Sequence, residues 1–117
     1  MSFKFEKLIV WQKAIDLTAL VHEITLIFPK EELYILTSQI KRAADSVALN
    51  IAEGSTGQTN PEFKRFISIA LRSDIEVVSC IFVAQKRKII SEEDFNNIYK
   101  ACEEILVMII SLRNSLN

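Results

Sequence analysis

Glycine and proline are nearly missing from this sequence, with two of each in 117 residues. Sheets and barrels need turn residues at short intervals, so the scarcity argues against β architectures and for long uninterrupted helices. The two cysteines, Cys80 and Cys102, form no CxxC pair and are too few for a disulfide framework. A single histidine, His22, cannot assemble a His-based triad or a His-rich metal site within one chain. With only Gly54 and Gly57, the chain holds neither a P-loop nor a GxGxxG turn. The ExxH element that bundle-core dimetal sites take from facing helices is also missing. No enzyme, metal or cofactor is therefore expected, and no catalytic residue is assigned.

Long hydrophobic runs are scarce too. The most apolar one, Ile105 to Ile110, is far shorter than the roughly 20 residues of a membrane span. The N-terminus lacks an apolar segment followed by a small-residue cleavage site, so no signal peptide is expected and the location is taken as cytoplasmic. Excess charge is missing as well: 14 basic and 15 acidic residues leave a net charge of -1. The global basic excess typical of nucleic-acid-binding domains is not there, which leaves a local basic patch open.

Half of the residues are hydrophobic, and their spacing is helical. Val10, Ala14, Leu17, Val21, Ile24 and Phe28 recur at steps of four and three, predicting a helix over about 8–27 that stops at Pro29. Leu36, Ile40, Ala43, Val47 and Ile51 mark a second helix over about 31–53, with acidic Glu31 and Glu32 at its start. Gly54 is expected in the left-handed position that closes many helices, and Ser55 to Thr59 form a flexible loop. Asn60 is expected to cap a third helix over about 61–87, with Pro61 at its first position. Ser91 is expected to cap a fourth over about 92–116, whose face repeats as a heptad from Phe95 to Leu116. Short connections make consecutive helices antiparallel neighbours. The fold class is all-α, a single-domain up-down-up-down antiparallel four-helix bundle over 1–117.

Helix three carries more apolar surface than one face. One stripe is Phe63, Ile67, Leu71, Ile75, Val78 and Phe82; a second, of smaller residues, is Phe66, Ala70, Ser73, Val77, Cys80 and Ala84. Two faces imply either a thick core or a surface that a partner covers, and self-association is the expectation carried forward. On helix two, Gln39, Arg42, Ser46, Asn50 and Glu53 follow at steps of three and four. This polar stripe is either a solvated face or a hydrogen-bonded seam between helices or subunits. In a seam Arg42 needs an acidic partner, and Asp74 and Glu76 on helix three are the candidates.

In the assembled bundle, one end collects the N-terminus, the second loop and the C-terminus. Lys4, Lys7, Lys13, Lys64, Arg65 and Arg113 fall toward that end, against Glu6, Glu53 and Glu62. They are the candidate nucleic-acid-binding residues, because phosphate recognition grows with the number of cationic contacts.

Several runs resemble a known family: Leu8-Ile9-Val10-Trp11-Gln12-Lys13-Ala14, Phe28-Pro29-Lys30-Glu31-Glu32, and Gln39 with Arg42-Ala43-Ala44 and Ser46. Asn50-Ile51-Ala52-Glu53-Gly54 follows, then Glu62-Phe63, Arg65-Phe66, Ala70, Ser73 and Glu76. With these runs, spanning roughly residues 5–85, the chain resembles the bacterial rRNA-intervening-sequence proteins. The resemblance implies a four-helix bundle that assembles into a five-membered ring. It also implies a likeness to the accessory variability determinant of diversity-generating retroelements, which partners a reverse transcriptase and binds nucleic acid through basic surfaces. Implied partners are therefore further copies of the chain, RNA or DNA, or a nucleic-acid-processing protein; the alternative is a structural or protein-binding bundle with no nucleic-acid affinity. The chain departs from the family in its loop, which reads Ser55-Thr56-Gly57-Gln58 where a Gly-Arg pair is usual. It departs again at Arg72 and Ile35, where Gly is usual.

Overall fold

The computed structural model describes residues 2–57 and 59–117; Gln58, part of the expected loop, lies outside them. Four helices account for nearly all of it: α1 (Ile9–Thr25), α2 (Leu36–Ser55), α3 (Asn60–Lys86) and α4 (Glu92–Ser115). They pack as α1 on α2, α2 on α3, α3 on α4 and α4 back on α1, giving the antiparallel bundle that the short connections predict. The molecule measures 43 × 25 × 20 Å, close to the length of the longest helix.

The expected heptad positions fill the core. Val10, Ala14, Leu17, Val21 and Ile24 of α1 are buried, as are Phe95, Ile98, Cys102, Ile105 and Ile109 of α4. On α3 the small-residue stripe wins: Ala70, Ser73, Val77, Cys80 and Ala84 are buried. The larger stripe divides, with Phe63 and Ile67 inside while Ile75 and Phe82 remain 53% and 50% exposed.

Three local details differ from expectation. The segment before α2 is a single 3-10 turn at Lys30–Glu32, and α2 itself begins only at Leu36. Glu32 is drawn across the bundle, where both its carboxylate oxygens accept from Arg87 Nη1 at 3.0 Å. Ile35, at φ -120° and ψ -101°, then interrupts the helical path. At α3 the cap is Thr59, one residue before the expected Asn60; its Oγ1 accepts from Glu62 N at 3.2 Å. Ser91 caps α4 as expected, accepting from Asp94 N at 3.1 Å.

The third difference is Gly54, which lies inside α2 without a left-handed backbone. Its role is close approach: a Cβ there would stand 2.7 Å from Phe66 Cβ and 2.9 Å from Phe63 Cδ1. Among the described residues the left-handed one is instead Lys88, at φ 61° just past α3. Lys88 N donates to Gln85 O and Ile89 N to Ala84 O, both at 3.0 Å, which completes a Schellman closure.

Two stability outcomes follow from this backbone. Gly54→Ala should destabilise the bundle by about 1–3 kcal/mol, since α3 must retreat from a rigid Cβ contact. Lys88→Gly should stabilise it by up to about 1 kcal/mol by relieving left-handed strain. Urea unfolding of both variants beside the parent checks the opposite signs; equal midpoints would contradict the packing argument.

Candidate functional site: a basic end, a polar seam and a buried carboxyl

The basic end is partly gathered by the chain's own termini. A 3-10 turn at Lys4–Lys7 lays the N-terminal segment against the bundle, and Lys4 Nζ sits 5.7 Å from the Phe63 ring centroid. Arg65 lies over the Phe66 ring at 5.2 Å, and Lys64 donates to Asn117 Oδ1 at the C-terminus. Lys4, Lys64 and Arg65 thus surround the first turns of α3, two of them backed by aromatic faces. The other candidates are placed differently. Lys13 is paired with Glu104 on α4 at 3.3 Å. Lys7 lines a groove between the start of α1 and the end of α4. Arg113 is half-buried in the last turn of α4.

The polar stripe on α2 divides in the same way. Gln39 Nε2 donates to Glu76 Oε2 at 3.2 Å, and Ser73 Oγ donates to Ser46 Oγ at 2.8 Å. Asn50 Nδ2 reinforces the second contact, donating to Ser46 O at 2.8 Å and Ser46 Oγ at 2.9 Å. These residues form a seam between α2 and α3, whereas Arg42 and Glu53 face solvent. Neither Asp74 nor Glu76 is paired with Arg42 inside the chain. Among the described residues the ion pairs are Lys13 with Glu104 and Arg87 with Glu32. Glu76 is turned to Gln39, and Asp74 points to the other side of α3, toward Cys102 of α4.

Asp74 is the unusual group. It is 1% exposed, and its Oδ1 has no hydrogen-bond partner. Burial pushes its carboxyl from 3.8 up to about 7, and a hydrogen bond from the Cys102 thiol pulls the other way. Burial, helped by the neighbouring Asp74 charge, raises Cys102 far above the ordinary thiol range, so it stays protonated. Cys80 is likewise pushed up to about 11 by burial and by the Glu76 charge. Both thiols are therefore poor nucleophiles. Asp74 also lines a cavity of about 180 Å³ between α3 and α4, with Tyr99 and Glu103 on its α4 side.

In the sequence Asp74 reads only as a candidate partner of Arg42, not as a buried group. Its signal was its register: Ile67, Asp74 and Ile81 are seven residues apart, and all three are buried. No group of three or more His, Cys, Asp or Glu side chains among the described residues is arranged to hold a metal ion. None of their helices is long and apolar enough to cross a membrane.

A family model described as 23S rRNA-intervening sequence protein matches residues 6–111. A solved structure from Bacteroides thetaiotaomicron, described as a protein with unknown function from the S23 ribosomal protein family, has a similar fold. Its TM-score is 0.82 at 22% identity, covering 90% of this chain and 98% of that one. No curated protein matches the chain.

The buried carboxyl has a pH consequence. Between about pH 4 and pH 7 the folded chain keeps a proton that the unfolded chain has released, so stability falls as pH rises through this window. Above pH 7 the cost is fully present, at roughly 2–4 kcal/mol. Asp74→Asn should remove it, so the variant's urea midpoint should gain on the parent's from pH 5 to pH 8. Parallel profiles would show that Asp74 ionises freely.

Proposed function

The chain belongs to the 23S rRNA-intervening sequence protein family, and from that premise we propose that it is a non-catalytic, self-assembling bundle that binds RNA through its basic end. The observation that carries this reading is the grouping of Lys4, Lys64 and Arg65 around Phe63 and Phe66. Cations held on aromatic faces at one end of a rod offer phosphate contacts without a deep groove. A single copy offers few of them, and a ring multiplies them.

Assembly is supported by the apolar surface that one copy leaves open. Ile75 and Phe82 on the α3–α4 side stay about half exposed, and Val107, 64% exposed, lies on the α1–α4 side. A head-to-tail contact joins two different faces, and repeated to closure it would bury both without producing filaments. Five subunits is the number that the family resemblance implies.

Two measurements test the two parts separately. Light scattering on the eluting protein should give about five times the 13.4 kDa chain mass. Val107→Glu should reduce that mass, because each contact then buries an unpaired charge at a cost of a few kcal/mol, roughly. A monomeric parent at micromolar concentration removes the assembly claim. For RNA, Lys64→Glu with Arg65→Glu should weaken binding and flatten the slope of log affinity against log salt by about 1–2. No binding by the parent at low salt would leave a structural or protein-binding bundle as the reading.

A further inference from the structure

We propose that the cavity between α3 and α4 is a binding site for a cationic group on a short apolar stem, an alkylammonium or alkylguanidinium, with Asp74 as its counter-ion. The site is independent of the RNA reading and lies in the middle of the bundle, away from the basic end.

The case begins with what the cavity lacks. Asp74 is 1% exposed and its Oδ1 has no partner. The Cys102 thiol, which hydrogen-bonds the carboxyl, is a weak donor. A buried carboxyl without a strong donor or a cation is costly to keep, and a polar residue at a core heptad position needs a reason. No lysine or arginine lines this cavity. The charged and titratable groups that face it are Asp74 from α3, and Tyr99, Cys102 and Glu103 from α4.

The lining then specifies the ligand. Two carboxylates disfavour an anion. Ile75, Val78 and Leu106 supply apolar walls for a hydrocarbon stem. The Tyr99 ring, stacked on Phe95, adds an aromatic group to the lining, and Glu103 stands exposed beside it. The cavity, about 180 Å³, takes a volume equal to about six waters, which suits a four-carbon amine. A metal ion is a poor fit, since no cluster of three such ligands is arranged here among the described residues.

Such a group can arrive as a free amine or as a basic side chain of a second copy, and one experiment separates them. The intact chain is followed by NMR at the Asp74 carboxyl carbon through a pH titration, with and without millimolar n-butylammonium chloride. For a free-amine site, Asp74 titrates high alone, and butylammonium moves its midpoint down by about half a pH unit or more. Butylammonium also raises Tm above pH 7, sodium chloride and n-butanol do neither, and Asp74→Asn abolishes the Tm response. Glu103→Gln, an exposed change neutral to folding, weakens the response several-fold. If a second copy supplies the cation, Asp74 titrates in the ordinary carboxylate range in the assembled protein and returns to the high value when Val107→Glu dissociates it. The proposal is overturned by a high midpoint that butylammonium leaves unchanged, by an equal effect of n-butanol, by an undiminished Tm response in Asp74→Asn, or by a low midpoint in the monomer.

Discussion

The close approach of α2 to α3 is set where Gly54 lies against Phe66 and Phe63, with no room for a Cβ. Farther along the same interface, Ser46 and Ser73 exchange a hydroxyl hydrogen bond, and Gln39 reaches Glu76 beyond them. The three contacts hold the two helices in one antiparallel register. Buried alanines such as Ala44 and Ala48 on α2 and Ala70 and Ala84 on α3 keep the pair thin. A thin pair leaves little room for bulky side chains between the two helices. Two of the larger residues of α3, Ile75 and Phe82, are left outside. The exposed apolar face is thus the geometric counterpart of the tight seam.

The same geometry explains the placement of polar groups. Between α2 and α3 polar side chains meet one another across short distances and satisfy their hydrogen bonds. Between α3 and α4 the side chains are larger, the packing is more open, and a cavity remains beside Asp74. A carboxyl there is buried with only a weak thiol donor beside it, so it holds its proton up to about pH 7. One helix therefore carries an economical polar interface on one side and a costly polar group on the other.

The periodicity of the sequence was enough for the four helices, their order and most of the core, because each face repeats at helical spacing over several turns. It was not enough where a long-range contact overrides local preference. The start of α2 is delayed to Leu36 by a turn that Arg87, far along the chain, holds through Glu32. Thr59 and Asn60 are both good caps, and only the observed hydrogen bond to Glu62 chooses between them. Gly54 has two readings, helix terminator or point of contact, and the aromatic residues on α3 decide it. The gathering of cations at the N-terminal end of α3 was legible from topology. Which cations are spent was not, because Lys13 faces an acid that only the fold brings near.

The two free thiols lie on different sides of α3. Cys80 borders the α2 interface, and Cys102 borders the α4 interface beside Asp74. Both are buried and held in the protonated form. Cys80 lines a groove at the α2 seam and Cys102 the cavity at the α4 seam, so the alkylation of each cysteine reports on one seam. Their relative rates distinguish a bundle that opens as a whole from one that sheds α4 first.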